Sequence, residues 1–540
     1  MKKIICLLAF ILWSCSKDPV ESPQAASLFI NKILLDGADT QSALLVEVPL
    51  KPEIRVEFDQ ALDPGTSFRS FITLLNKSSE TMALEYQVSG NTLTVKPAAD
   101  LPGFQKYTFV IQKGLPSAAK GTLKSEQSFL FYTTYDPQDK FERISREALL
   151  DKVQAQTFKY FWDFAHPASG MIRERNTSQT TVTTGGTGFG IMGILAGIDR
   201  RFIARSEGLE RVKKIVGFLE KADAYHGAFA HWYNGETGKT QPFSAKDNGA
   251  DLVETSFLFM GLLTAAEYFE DTDLSGRINA LYQKIEWNFF LNGTESLFWH
   301  WSPDYGFELN LKIRGWNEAL MVYILAAGSE KYAIEKAHYV NGWTRNGSFV
   351  NGSSYHGIRL PLGPDYGGPL FMSQYTFLGI NPFGLSDDYI ADYSVQCRDH
   401  TLINRAYCMA NPGRFPGYNR YSWGLTASDN PDGYSAHSPR NDKGVITPTA
   451  ALGSFPYTPE QSWEALEFFY YKIGDRLWGE YGFRDAYSVK DGWYAGSYIA
   501  IDQGPILVGI ENYRSGMLWK NCMKSPHVKK GLTALGFKTL

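Results

Sequence analysis

Six times between residues 142 and 540, a loop rich in Gly, Trp or Pro runs into an apolar helical pattern. These starts are Gly188-Phe189-Gly190-Ile191-Met192, Glu254-Thr255-Ser256-Phe257, Glu318-Ala319-Leu320-Met321, Met372-Ser373-Gln374-Tyr375, Thr449-Ala450-Ala451-Leu452 and Pro505-Ile506-Leu507-Val508. They are separated by roughly 55 to 75 residues, about the length of a helical hairpin with its loops. Apolar helices must be covered by other helices. Six hairpins imply a closed ring, an (α/α)6 toroid whose six inner helices point their N-terminal loops at one mouth.

Ahead of this region the period is two. Ile54-Arg55-Val56-Glu57-Phe58, Thr92-Leu93-Thr94-Val95 and Tyr107-Thr108-Phe109-Val110-Ile111 read as strands, separated by turns such as Asp63-Pro64-Gly65 and Leu101-Pro102-Gly103. A β-sandwich over residues 28–135 follows, with no clustered acids, His or aromatic platform, so its expected role is that of a spacer. The period changes after Tyr135-Asp136-Pro137, and the first helix is expected from about Arg143 to Phe164. With 540 residues the chain exceeds the usual size of a single core. The expected fold class is multidomain, an all-β sandwich followed by an all-α toroid over residues 142–540.

The first residues are Met1-Lys2-Lys3, an apolar run from Ile4 to Trp13, then Ser14-Cys15. The run is too short to span a bilayer and reads as an export signal over residues 1–14. Leu12, Ser14 and Cys15 resemble a lipoprotein processing box, which predicts lipidation of Cys15 and a tether over residues 15–27. Ser16-Lys17-Asp18 does not resemble an inner-membrane retention signal, so an outer-membrane address, periplasmic or surface, is expected. Downstream, Cys397, Cys408 and Cys522 make an odd count without a zinc pattern and read as buried thiols.

A net charge of −4 with scattered Lys and Arg offers no basic stripe for nucleic acid and no polybasic membrane patch. A neutral partner fits better. Aromatics make up 14% of the chain, with 13 Trp and 30 Tyr, more than a core needs and suited to stacking on sugar faces. An oligo- or polysaccharide is the expected substrate and a monomer the expected state, with no cofactor or metal.

Asp247, Asp251 and Glu254 stand at i, i+4 and i+7, which on a helix makes one column on the order of 10 Å long. No Lys or Arg in that stretch neutralises them, so their repulsion favours holding a proton near neutral pH. The competing reading is that acids in a first turn complement the helix dipole. Glu318, in Arg314-Gly315-Trp316-Asn317-Glu318, is a solitary acid at the start of another apolar inner helix, and burial there favours a proton donor. Its competing role is an ion pair with Arg314. Two acids at one mouth meet the requirement of glycoside hydrolysis for carboxylates on both sides of a bond.

Phe229-Ala230-His231-Trp232 and Phe298-Trp299-His300-Trp301 repeat one signature ahead of the helices of Glu254 and Glu318. Without an HExxH or similar cluster, His231 and His300 read as structural or sugar-contacting rather than metal ligands. Trp162, Trp232, Trp301, Trp316, Trp423 and Trp493 are candidate stacking platforms. Arg173 and Arg175 either hold hydroxyls or pair with Glu174. Gly185-Gly186-Thr187-Gly188-Phe189-Gly190 lacks the Lys-Ser/Thr of a phosphate loop, and its glycines suit close approach of helices and sugar.

Tyr160-Phe161-Trp162-Asp163, Arg173-Glu174-Arg175-Asn176, Thr183-Thr184-Gly185-Gly186-Thr187-Gly188-Phe189-Gly190, Gly315-Trp316-Asn317-Glu318-Ala319, Pro448-Thr449-Ala450-Ala451-Leu452-Gly453-Ser454 and Asp502-Gln503-Gly504-Pro505 resemble the glucoamylase-like family that includes the β-1,2-glucan hydrolases of glycoside hydrolase family 144. The sandwich, with its closing Phe131-Tyr132-Thr133-Thr134, resembles bacterial immunoglobulin-like modules. The resemblance implies a metal-independent (α/α)6 barrel acting with inversion on β-1,2-glucan or its oligosaccharides. It matches the family's acidic segments to Asp247, Asp251, Glu254 and Glu318. We expect Glu318 as general acid, Asp251 or Glu254 orienting the water, Asp247 tuning their charge, and Arg175, His231, Trp232, Trp316, Asn317 and Trp423 contacting sugar. The alternatives are a hydrolase of another glucan, a non-catalytic glycan-binding lipoprotein and a polysaccharide lyase on the same ring.

Overall fold

A computed structural model describes residues 27–41 and 44–539. The signal segment, Cys15 and the tether up to residue 26 lie outside the described residues. The chain forms two compact units, the first chiefly before residue 131 and the second from residue 132 onward.

The first unit contains strands β1 (Ile30–Leu35), β2 (Ala38–Asp39), β3 (Ile54–Phe58), β4 (Ile72–Asn76), β5 (Leu84–Ser89), β6 (Thr92–Pro97), β7 (Lys106–Ile111) and β8 (Gln127–Thr133). One sheet runs β2-β1-β3-β6-β5, and a second contains β8-β7-β4. The period-two pattern is expressed directly. In β3, Ile54, Val56 and Phe58 are buried while Arg55 faces out, and Val56 pairs with Leu93 of β6. Leu74 of β4 pairs with Phe109 of β7, both fully buried.

In the second unit the buried helices are α1 (Thr184–Asp199), α2 (Leu252–Phe269), α3 (Leu320–Gly328), α4 (Pro448–Leu452) and α5 (Ala500–Arg514). Helix α1 packs on α2, α2 on α3, α4 on α5, and α5 back on α1. The gap between α3 and α4 is bridged by residues 370–378. There the Thr376 hydroxyl donates to Glu318 O (2.6 Å) and accepts from Met321 N (3.2 Å), while the Gln374 amide donates to Ala450 O (3.0 Å) and Ser454 Oγ (2.9 Å). Outer helices lie behind this inner layer. Arg146–Trp162 packs on α1 and α5, Arg205–Leu219 on α1, Thr272–Tyr282 on α2, Pro526–Leu535 on α3, Tyr393–Ala410 on the bridge, and Pro459–Glu467 on α4.

Two expected starts differ. The Met372 segment is not an α-helix but two 3₁₀ turns, Leu370–Ser373 and Thr376–Leu378. Pro369 enters it in extended conformation, and Gln374 at φ −119° breaks it while its side chain is committed to α4. The last inner helix starts at Ala500, with Pro505 inside it, so Asp502 belongs to its first turn. The first helix is Arg146–Trp162, with the Ser145 hydroxyl accepting the Ala148 N–H. Cys397, Cys408 and Cys522 are buried free thiols.

Helices α1 and α2 approach backbone to backbone. A Cβ on Gly188 would lie 2.0 Å from Phe257 O, and one on Gly261 would lie 2.2 Å from Gly188 O. Gly188→Ala should therefore cost about 3 kcal/mol, the upper end for overpacking. Gly276→Ala, at an exposed helical site with nothing within 4 Å of the added carbon, should stabilise by roughly 0.5–1 kcal/mol. Denaturant midpoints of the two variants check both signs.

Candidate active site

At the N-terminal ends of these inner helices lies a cavity of about 410 Å³. Glu254 and Glu318 both line it, with aromatic walls from Trp232, Phe243, Trp299, Phe371, Tyr375 and Tyr434. Glu254 reaches it from the first turn of α2, and Glu318 from the turn just before α3.

Local pairing fixes this geometry. The strand Trp232–Asn234 pairs with Thr181–Thr183, which enters α1. Ala250–Asp251 pairs antiparallel with His300–Trp301, placing Asp251 opposite His300. The Thr255 hydroxyl donates to Asp251 O (2.7 Å) and accepts from Phe229 N (2.9 Å), tying the His231 loop to α2.

Asp251 is fully buried. Its Oδ1 accepts the N–H groups of Val253 (3.0 Å) and Glu254 (2.9 Å), the N-cap of α2. Its Oδ2 lies 3.1 Å from His231 Nδ1 and 3.3 Å from His300 Nε2, and His300 Nε2 lies 3.1 Å from Asp247 Oδ2. Burial alone would raise the Asp251 carboxyl, but the hydrogen bonds and charges of the two imidazoles outweigh it and hold the group well below the usual carboxylate range. Burial opposes charge on the imidazoles too. It is outweighed for His231 by the charge of Glu254 and the Asp251 contact, giving about 9, and for His300 by hydrogen bonds to Asp247 and Asp251, giving about 10.

The two cavity acids differ. Burial raises both. Glu254 stays above the usual carboxylate range, raised by burial and by the charges of Asp251 and Asp247, while the nearby His231 charge and the Gly185 N–H, which donates to its Oε2 at 2.6 Å, oppose the rise. Glu318 has no such cation, and with the charges of Asp251 and Glu254 adding to burial it is pushed up to about 7. Environments that separate two carboxyls in this way set one to hold a proton and the other to take one.

A second group of charges starts in the wall, where Glu174 and Arg175 line the cavity, and continues behind it. Arg175 pairs with Glu174 (2.8 Å) and with Asp429 (3.1 Å). Asp429 also accepts from Ser497 Oγ (2.6 Å), and its N–H donates to Asp485 (2.7 Å). Burial comes first in raising both Asp485 and Asp502, joined by the charge of Asp429 on the former and of Asp485 on the latter, so that pair retains a proton at neutral pH. Tyr375, which lines the cavity, reaches Asp502 Oδ1 at 3.4 Å.

His231, Asp247 and Asp251 can bring ligand atoms within 4.8 Å of one another. The His300 Nε2–H, however, already bridges the two Asp carboxylates. This donor set suits an imidazolium–carboxylate cluster.

The comparisons with known proteins converge on one family. A family model described as "Putative glucoamylase" matches residues 310–526, and one described as a bacterial Ig-like domain matches residues 41–134. The chain is similar to a putative glucoamylase from Bacteroides uniformis, with 53% identity and a TM-score of 0.72 over 74% of this chain and 99% of that one. It is similar also to an endo-β-1,2-glucanase from Chitinophaga pinensis, solved with sophorotriose and glucose, with 47% identity and a TM-score of 0.72 over 74% and 99% of the two chains. The chain belongs to the glucoamylase-like family. A curated relative, an exo β-1,2-glucooligosaccharide sophorohydrolase (non-reducing end) from Parabacteroides distasonis, is 42% identical over 428 residues. That match spans 74% of this chain but only 58% of the relative's length.

In this glucoamylase-like chain the expected site residues divide. Glu254, Glu318, Arg175, His231 and Trp232 line the cavity. Asp247 and Asp251 do not form a helical column with Glu254, because α2 begins at Leu252 and Asp251 is an extended cap at φ −118°. Trp316 is in the core, stacked on Phe377 and Tyr393, and Trp423 is fully buried in another cluster. Asn317 turns its side chain back to accept the Ala319 N–H (2.9 Å), which shapes the loop carrying Glu318. Arg175 is spent on Glu174 and Asp429. Among the described residues no ion pair joins Arg314 to Glu318, and Arg314 faces a separate polar groove. Arg173 donates to Gln179 O and Phe164 O. Phe243, Trp299 and the acids Asp429 and Asp485 escaped the sequence reading.

The raised imidazoles link this cluster to stability. A group whose folded pKa exceeds its unfolded 6.5 stabilises fully below 6.5 and ceases to do so as pH rises through the folded value. The melting temperature should therefore fall as pH rises from about 6.5, and the fall should end between about pH 9 and about pH 10, where folded His231 and His300 lose their protons. His300→Gln should blunt that fall, and a thermal-melt series against pH reads both.

Proposed function

We propose that this protein hydrolyses β-glucosidic bonds in β-1,2-glucan or its oligosaccharides, with inversion. The observation that carries the reading is the pair Glu254 and Glu318, which line one aromatic cavity in environments that separate their proton affinities. The names of the C. pinensis and P. distasonis relatives supply the linkage. The cyclic packing of the inner segments, each backed by an outer helix, supports the (α/α)6 toroid.

In this mechanism Glu318, protonated near neutrality, gives its proton to the departing glycosidic oxygen. Glu254, held ionised, takes a proton from the water that attacks the anomeric carbon from the opposite face. Asp251 is not the base, since both its oxygens are committed to backbone and imidazole donors and it lies outside the cavity lining. The acid limb of kcat/KM against pH then reports Glu254, and the alkaline limb reports Glu318 near about 7.

Incubation with β-1,2-glucan, sophorose and starch, followed by assay of reducing ends, tests the activity, and the anomer released tests inversion. Glu318→Gln should lower turnover by about 10²- to 10⁴-fold while sugar binding persists. No product from any glucan sinks the enzyme reading. An unsaturated uronate product from an acidic polysaccharide points to a lyase instead.

The address is also a proposal. Cys15 is lipidated, the tether and the Ig-like module hold the catalytic unit off the outer membrane, and the enzyme acts as a monomer. Cys15→Ala should move the protein out of the membrane fraction with unchanged specific activity. Wild-type protein that takes up no labelled fatty acid refutes the anchor.

A further inference from the structure

We propose that His231 is a positioning residue of the reaction. Braced by Asp251, and through His300 by Asp247, it holds the Glu254 carboxylate aimed and ionised as the base. The inference rests on Glu254 being that base.

Five side chains stand in series. Asp247 Oδ2 is 3.1 Å from His300 Nε2, which is 3.3 Å from Asp251 Oδ2. Asp251 Oδ2 is 3.1 Å from His231 Nδ1, and His231 Nε2 is 3.9 Å from Glu254 Oε1. The ring of His231 cannot turn freely, because Phe243 stacks on it at 4.5 Å and Trp232 meets its edge at 5.5 Å. With Nδ1 committed to Asp251, Nε2 is left facing Glu254. The far oxygen of Glu254 is pinned by the Gly185 N–H at 2.6 Å. The carboxylate is thus gripped at one oxygen by backbone and opposed at the other by an imidazole.

Charge gives the arrangement its purpose. Asp247, Asp251 and Glu254 face His231 and His300, three potential anions against two potential cations, with Glu318 across the cavity as a further acid. Removing His231 leaves three carboxylates with one imidazole. The proton that enters then goes to Glu254, since Asp251 remains fixed by two backbone N–H groups and His300. A protonated Glu254 cannot accept a proton from water. His231 therefore protects the base from its acidic neighbours, and His300 offsets the repulsion between Asp251 and Asp247.

The test is kcat/KM against pH on β-1,2-glucan for wild type, His231→Gln, His300→Gln and Glu254→Gln. His231→Gln should move the acid limb up by about one pH unit, with kcat falling about tenfold below neutrality while KM changes little. His300→Gln should move the limb in the same direction by less. An acid limb unmoved in His231→Gln, with the rate lowered equally at every pH, overturns the proposal. Glu254→Gln at near wild-type rate refutes the base itself, whereas an inactive Glu254→Gln with an unmoved His231→Gln limb refutes only the positioning role. Should His231→Gln fail to fold, imidazole ¹⁵N spectra of the wild-type protein decide. Both ring nitrogens of His231 protonated at pH 7 support the arrangement, and a neutral His231 overturns it.

Discussion

The carboxylate of Asp251 ties the site to the fold. One oxygen closes the N-terminus of α2, the inner helix that packs against both α1 and α3, and the other gathers His231 and His300. Either task alone is ordinary. Together they fix the start of α2, the direction of Glu254 one turn in, and the placement of two loops from different parts of the chain. They also remove Asp251 from acid/base chemistry, because a carboxylate accepting four donors is a poor base.

The rest of the cavity follows the same economy of charge. Arg175 is cancelled by Glu174 and Asp429, the two Asp residues below α2 are offset by imidazoles, and Asp485 and Asp502 retain a proton between them. What faces the cavity is mostly aromatic and aliphatic surface interrupted by Glu254 and Glu318 and by the Glu174–Arg175 ion pair. Such a lining suits a neutral polyhydroxyl ligand that stacks through its faces and needs charge at one bond only. An acidic sugar would meet carboxylates, and the cations of the lining, Arg175 and His231, are already paired with Glu174, Asp429 and Asp251.

Much of this was legible in the amino-acid sequence. Strands β3, β6 and β7 stand where period two placed them, and five of the six apolar starts belong to buried helices. Glu318 was readable as a solitary acid before an apolar run, and Glu254 as the last of three acids leading into another. The column of Asp247, Asp251 and Glu254 was not, since spacing alone cannot distinguish a helix from an extended strand that becomes its cap. Trp316 and Trp423 were misread because an indole in a Gly-rich loop looks the same whether it faces sugar or core. Trp316 stacks on Phe377 and Tyr393 from distant segments, and Trp423 shares its cluster with residues as far away in the chain as Leu149 and Ile506. Asp485 and Asp429 carried no local signal at all. The partnership of the histidines did carry one, in the repeated Phe-x-His-Trp signature. Read as a repeat, it marked two units of the ring; its physical meaning, two imidazoles delivered to one carboxylate, needed the register of Asp251 against His300.

Gly185 shows how far the chemistry depends on the packing of the inner helices. Its N–H grips Glu254 Oε2, and a Cβ at that position would sit 2.7 Å from the same oxygen. The grip is available only because α1 and α2 lie backbone to backbone, with Gly188 against Phe257 and Gly261 against Gly188. A helix pair at ordinary separation, 8–10 Å between axes, would leave side chains between Gly185 and Glu254 and return the acid to the company of Asp251 and Asp247. The glycine run of α1 is thus a condition of the Glu254 geometry, since it brings a backbone N–H to the carboxylate at a distance that a Cβ would obstruct.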